Sequence, residues 1–139
     1  MASHTSYIKL QSKGFSDVID ITAEALKGLK NSGVKNGILC IFVPGSTASV
    51  TTIEYESGAI DDLKSAIEKL IPSDITYKHD RRWGDGNGFS HVRAAIMKPS
   101  ITIPIVDGEL TLGTWQQIVF IDFDNRPRGR KIVVQIVGE

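Results

Sequence analysis

Ser100-Ile101-Thr102-Ile103-Pro104-Ile105-Val106-Asp107-Gly108-Glu109-Leu110-Thr111-Leu112 places two apolar runs on either side of an Asp-Gly pair. A two-residue turn of this kind needs positive φ at both central positions, so Asp-Gly between apolar runs predicts a β-hairpin. Downstream, Gln117 to Phe123 and Lys131 to Val137 predict a second hairpin, crossing Asp124-Asn125-Arg126-Pro127-Arg128-Gly129. Upstream, Ser6 to Leu10 alternates polar and apolar residues like a strand. Ser16 is placed to cap a helix with Val18, Ile21, Ala25 and Leu29 on its buried stripe, Lys27 and Lys30 in its last turn, and a stop near Asn31-Ser32-Gly33. Gly37 to Val43 is a near-continuous apolar run, predicting a strand covered on both faces or by a partner subunit. After the turn at Pro44-Gly45, the β-branched, hydroxyl-rich segment from Ser46 to Glu54 predicts a strand with one polar face.

A second helix is expected from Gly58 to Ile71, capped by Ser57, with Leu63, Ile67 and Leu70 buried and Pro72 ending it. Pro72 to Ser90 shows no periodicity, and loops of that length tend to carry function. Two helices followed by consecutive hairpins predict an α+β fold with a mostly antiparallel sheet system, rather than a doubly wound parallel one.

The 139 residues suit a single domain, 1–139, able to bury about two-thirds of its unfolded surface. With 41% hydrophobic and 23% charged residues and no apolar run approaching ~18 residues, the chain reads as a soluble protein with no membrane partner. The polar start, Met1 to Ser6, lacks the apolar core of a signal peptide and predicts a cytoplasmic protein. The lone Cys40 agrees, reading as a buried, inert thiol. Sixteen basic residues balance sixteen acidic ones, which argues against nucleic acid as a partner. Basic residues are nevertheless local: Arg81-Arg82, and Arg126, Arg128, Arg130 and Lys131, where guanidinium forks match phosphate geometry.

Chemistry concentrates in Trp83-Gly84-Asp85-Gly86-Asn87-Gly88-Phe89-Ser90-His91-Val92-Arg93. Gly86 and Gly88 predict close backbone approach to a ligand, with Asp85, Asn87, His91 and Arg93 presenting polar groups beside it. His91 is the candidate acid or base, with Asp85, Asn87 and Glu54 as further catalytic candidates. Ser46 and Thr47 lack a recognisable activating base and read as hydrogen-bond donors to substrate. Thr114 and Gln116 flank Trp115, a combination suited to pinning a heterocycle. His79, Asp80, Asp85 and His91 are candidate metal donors. Their spacing matches no zinc pattern, and oxygen ligands beside a substrate phosphate favour Mg2+ over Zn2+.

Gly45-Ser46-Thr47-Ala48, Thr52-Ile53-Glu54, His79-Asp80, the glycine-rich loop, Leu110 to Gln117 and Arg126-x-Arg128-x-Arg130 recur in one order, and together they closely resemble the YjbQ-like uncharacterised protein family. The resemblance implies an α+β fold containing a β-sandwich, assembly as a homotrimer with sites near subunit boundaries, and activity as a secondary thiamine-phosphate synthase joining a pyrimidine diphosphate to a thiazole phosphate. It also implies histidines at the places held here by Gly45 and Phe89, so this chain lacks two imidazoles of the family pattern. Combined with the residues, the leading expectation is a transferase in which Arg126, Arg128 and loop N–H groups hold a phosphorylated ligand and carboxylates hold Mg2+. Loss of diphosphate needs its charge neutralised more than it needs a covalent nucleophile. A non-catalytic binding protein for a small phosphorylated metabolite and a metal-dependent hydrolase are the alternatives.

Overall fold

A computed structural model of the chain describes all residues from Met1 to Glu139. In chain order the elements are β1 (Ala2–Ser12), β2 (Asp17–Asp20), α1 (Thr22–Ser32), β3 (Gly37–Phe42), β4 (Ala48–Ile53), α2 (Ser57–Leu70), α3 (Lys78–Trp83), α4 (Gly88–Met97), β5 (Ser100–Val106), β6 (Glu109–Leu110), β7 (Gln117–Asp122) and β8 (Arg128–Gly138). Every strand pairing is antiparallel, in a five-stranded sheet ordered β1-β8-β3-β5-β6 and a three-stranded sheet ordered β2-β7-β4. The α+β, antiparallel expectation holds. The Asp107-Gly108 hairpin forms as expected, with φ of +52° and +83° and Val106 opposite Glu109.

The two sheets share a core in which Leu39, Ile41, Ile132, Val134 and Ile136 of the larger meet Val50, Ile118 and Phe120 of the smaller, and α1 adds Ala25 and Leu29. Val119 and Ile121 point the other way, joining Ile67 of α2 and Ala94 of α4 in a second cluster. The smaller sheet is therefore covered on both faces, which is why β7 reads as an unbroken apolar run. Fully burying each such side chain contributes about 1.5–3 kcal/mol.

Several expectations are corrected. The chain has four helices rather than two. Ser16 caps nothing: Phe15 and Ser16 both hold positive φ, and Asp17–Asp20 extends as β2 against β7. Helix α1 starts instead at Thr22, whose N–H and hydroxyl both reach Asp20 Oδ1, at 2.9 and 2.7 Å. It stops at Gly33, which supplies the left-handed residue that closes a helix. At α2 the cap is Glu56, whose carboxylate accepts the Gly58 and Ala59 N–H groups, and not Ser57. Leu63 is only half-buried and Leu70 is exposed, leaving Ile67 as the buried member. The β7 and β8 strands do not form a hairpin. Both edges of β7 are taken by β2 and β4, so the 123–127 connection carries the chain across to the larger sheet. Of the coverings expected for β3, the chain itself supplies one face: Ile38 and Phe42 are exposed on the other, and Cys40, expected to be buried, lies between them half-buried. The supposedly irregular stretch holds α3 and the start of α4, whose buried Phe89, Ser90, Arg93 and Ala94 follow helical spacing through a polar, glycine-bearing sequence.

Candidate functional site

Helix α3 ends on Gly84 at φ +67°, Gly86 turns at +64°, and α4 begins after Asn87. Asp80 governs this turn. Its Oδ2 accepts the Tyr77 N–H at 2.9 Å and its Oδ1 accepts the Gly88 N–H at 2.8 Å, and these two bonds hold its carboxyl below the usual carboxylate range. Gly88 is required by packing: a Cβ there would lie 2.5 Å from Tyr77 Cβ. Asp85 Oδ1 accepts the Asn87 N–H at 3.2 Å. Carboxylates of the chain thus take the N–H groups of Asn87 and Gly88 that the sequence offered to a phosphate.

Asn87 crosses to the neighbouring segment. Its Oδ1 accepts the Ser90 hydroxyl at 2.6 Å and the Asn125 N–H at 3.1 Å, while Asn125 Nδ2 donates to Asp85 O at 2.8 Å. Beneath lies a buried charge network. Arg130 pairs with Asp122 through Nε and Nη2, both at 2.8 Å, and Nη2 also donates to Thr47 Oγ1 at 2.8 Å. Hydrogen bonding to Asp122 holds the Arg130 guanidinium above even its usual high range. Thr47 Oγ1 donates to Asp124 Oδ2 at 3.0 Å, and Arg128 Nε reaches the same oxygen at 3.1 Å. Burial would raise the Asp124 carboxyl, but the Thr47 and Arg128 bonds outweigh it and hold it below the usual range. Asp124 Oδ1 is buried without a partner, 4.0 Å from Arg126 Nε.

Above this network opens a cleft of about 380 Å3 lined by Ser46, Thr47, Asp85, Asn87, His91, Asn125, Arg126 and Arg128, none of them hydrophobic. His91 stands in the first turn of α4 with its ring centroid 4.3 Å from that of His79. Burial, and next the neighbouring His79, lower its pKa, with Asp85 and Asp124 opposing. A neutral imidazole can accept a proton, donate a hydrogen bond or ligate a cation. Arg126 is two-thirds exposed and pairs with Asp124 only through Nε at 4.0 Å, without a hydrogen bond, so its terminal nitrogens face an incoming anion.

For a cation, one ligand atom each from His79, Asp80 and Asp85 lies within 4.8 Å of the others. Asp80 has both oxygens engaged by N–H groups. His79 Nδ1 is buried without a hydrogen-bond partner, 3.4 Å from Asp85 Oδ1. This pair fits a cation that brings its remaining ligands with it, and not a closed four-ligand zinc site. Gly45 and Phe89, where the resemblance implies imidazoles, have other uses here. Gly45 sits at φ +122°, where a Cβ would come within 3.2 Å of Arg130 Nη1, and the buried Phe89 ring packs 4.9 Å from the Arg93 guanidinium.

The remaining sequence candidates lie elsewhere. Thr47 and Asp122 flank one end of the β4–β7 pair, whereas Glu54, Thr114 and Gln116 cluster at the other, where Ile53 faces Gln117. The six residues of β4 separate these ends by about 17 Å. There Gln116 Nε2 donates to Thr52 Oγ1 at 2.9 Å, its Oε1 accepts the Gly113 N–H at 3.0 Å, and Trp115 stands 71% exposed. Arg93 does not reach the cleft either. Its Nε and Nη2 donate to Ile71 O at 3.0 and 2.8 Å, Nη1 donates to Ser16 Oγ at 3.1 Å, and Nη2 pairs with Glu68. The sequence reading missed Asp122, Asp124 and Asn125. Two acids spaced by two at the end of an apolar strand, facing Arg128 and Arg130 at the same spacing, were the available signal.

Comparison with known proteins adds the family. A relative from Methanothermobacter thermautotrophicus, a UPF0047 protein, is 37% identical over 139 residues, covering all of this chain and 95% of the relative. Another UPF0047 protein, from Archaeoglobus fulgidus, is 34% identical over 119 residues, 86% of this chain and 90% of the relative. Among solved structures, a hypothetical protein from Aeropyrum pernix K1 superposes with a TM-score of 0.90 at 32% identity, covering 98% of this chain and 99% of that one. A YbjQ-like protein of unknown function from Sulfolobus solfataricus P2 gives 0.89 at 29% identity, covering 99% of this chain and 100% of that one. The family model described as UPF0047 protein YjbQ-like matches residues 6–139, and the chain belongs to that family, one of uncharacterised function.

Proposed function

We propose that the polar cleft is a transferase site for a small phosphorylated substrate, with coupling of a pyrimidine diphosphate to a thiazole phosphate as its candidate reaction. The observation that carries the reading is the exposed Arg126 guanidinium, held only at 4.0 Å by Asp124, sharing with His91 a cleft that has no hydrophobic lining. In that reaction the thiazole nitrogen attacks the pyrimidine methylene carbon, the C–O bond breaks, and diphosphate leaves with the electron pair. Arg126 and Arg128 hold the diphosphate, Ser46 and Asn87 fix its orientation, and the N–H of neutral His91 donates to the leaving oxygen. Asp85, beside His79, would hold Mg2+, which supplies charge neutralisation when bound together with substrate phosphate.

The proposed assembly is a homotrimer, supported by the uncovered face of the larger sheet, where Ile38 and Phe42 are exposed. A neighbouring subunit is also the means by which a Thr114–Gln116 turn would join the cleft. No helix is long and apolar enough to cross a membrane, and the proposed location is the cytoplasm.

The test is incubation of the protein, His91→Ala and Arg126→Ala with both substrates and Mg2+, following thiamine phosphate by mass spectrometry. Turnover lost in both variants supports the reading. Pyrophosphate binding without turnover in the wild type would replace it by metabolite binding. The His79 and Asp85 pair, 3.4 Å apart, favours metal-dependent hydrolysis as a second reading. That reading requires phosphate ester cleavage that a chelator abolishes and added metal restores.

A further inference from the structure

Gly14, Phe15 and Ser16 hold φ of +72°, +53° and +63° in succession. For phenylalanine and serine this is a strained conformation that surrounding contacts must hold in place. The backbone N–H groups of Phe15 and Ser16 and the close approach of Gly14 all fall on one wall of the cleft. Phe15 N–H donates to Asp124 O at 2.7 Å and Ser16 N–H to Asp122 O at 2.8 Å. A Cβ on Gly14 would lie 2.6 Å from the Asp124 carbonyl oxygen and 2.5 Å from that of Arg126. The 14–16 strap is therefore pressed flat against the backbone that carries Asp124, Asn125 and Arg126.

The opposite wall is α4, with Asn87 at its N-cap and His91 in its first turn. Arg93, on the same helix and 4% exposed, reaches back to the strap through Nη1 and Ser16 Oγ. Its other nitrogens grip Ile71 O and Glu68 at the end of α2. One guanidinium thus ties together the His91 helix, the helix behind it and the strap under the opposing wall. Nothing in this tie touches the cleft itself, yet both walls end on it. Two bonds from Asn125 span the walls, its N–H to Asn87 Oδ1 at 3.1 Å and its Nδ2 to Asp85 O at 2.8 Å.

We propose that Ser16 and Arg93 are positioning residues, which through the strained 14–16 strap set the spacing between the His91 wall and the Asp124–Arg128 wall. The ligand half of this inference rests on the phosphorylated-substrate reading above. The spacing half does not.

The test compares wild type with Ser16→Gly, which removes the hydroxyl and relieves the strained φ, and with Ser16→Ala, which removes the hydroxyl and keeps the strain. Three quantities are measured: the thermal midpoint, the hydrogen-exchange rate of the Asn125 backbone amide, and calorimetric affinity for inorganic pyrophosphate. In Ser16→Gly the midpoint stays within about 3 °C of wild type. Asn125 exchanges about tenfold faster and pyrophosphate binds about fivefold to tenfold more weakly. Arg93→Lys keeps the charge but not the fork and moves exchange and affinity in the same direction. Wild-type exchange at Asn125 in Ser16→Gly overturns the proposal, as does acceleration spread evenly over all amides with a lowered midpoint. If wild type itself binds no pyrophosphate, the ligand reading falls, and the Asn125 rate still decides the positioning role.

Discussion

The two ends of the β4–β7 pair are equally polar in sequence and physically opposite. At one end Thr47, Asp122, Asp124 and Arg130 form a charge network out of water, with Arg130 only 10% exposed and both aspartates fully buried. At the other, Thr52, Gly113 and Gln116 exchange neutral hydrogen bonds in the open, beside an exposed Trp115. Removing one partner of a buried charge pair is costly, whereas exposed amides can trade any lost bond for water. Demanding geometry at the first end builds a cleft. The second end, by itself, builds a surface turn.

The sharpest way to break this comparison is Asp122→Ala, which removes both short bonds of the buried Arg130 and leaves it only Thr47 at 2.8 Å and Asp124 at 3.9 Å. Its expected cost is about 3–5 kcal/mol, a fall in thermal midpoint of about 10 °C or more by calorimetry. Next comes Gly88→Ala, which forces a methyl to 2.5 Å from Tyr77 Cβ, for an expected loss of about 1–3 kcal/mol in denaturant melts. Its counterpart Gly113→Ala meets only ordinary contacts, 3.6 Å at the nearest. A gentler lever is pH. His91 has a folded pKa below its ordinary value, so the unfolded chain takes up a proton first as the solution is acidified. The His91 contribution is present above the ordinary imidazole range near ~6.5 and is lost as pH falls through the lower folded value. The lowered Asp124 pKa acts with the same sign, further down, below the usual carboxylate range. Thermal midpoints recorded from neutral to mildly acid pH should fall in wild type and flatten in His91→Gln. The smallest effect is expected from Gln116→Ala, within about 1 kcal/mol of wild type in the same melts. A loss there as large as that of Asp122→Ala would erase the distinction between the two ends.

Legibility followed locality. Asp107-Gly108 announced its hairpin because the turn chemistry lies in two adjacent residues, and β7 was legible as a strand from its apolar run. Its partners were not. Nothing near Asp124 to Gly129 says whether the chain doubles back beside β7 or crosses to another sheet, since that depends on β2 and β4 occupying both its edges. In the glycine-rich stretch the residues were singled out correctly as a polar cluster, but their uses were not readable. Gly88 makes room for Tyr77, and Asp80 and Asp85 take the Gly88 and Asn87 N–H groups that looked available to a phosphate. Arg93, three residues from Ser90 and followed by Ala94-Ala95-Ile96-Met97, gave no local hint that its partners would be Ser16, Glu68 and Ile71.

What the sequence determined by itself was the α+β class, the antiparallel turn at Asp107-Gly108 and the stop of α1 at Gly33. These rest on backbone preferences and side-chain periodicities that act within a few residues. Tertiary structure alone decided which polar residues share a cleft, because Ser46, Asp85, His91, Asn125 and Arg126 come from separate segments and meet only once both sheets and α4 are packed. It also decided that Asp124 and Arg130 would be buried together, since the strength of an ion pair depends on the water that surrounding elements exclude.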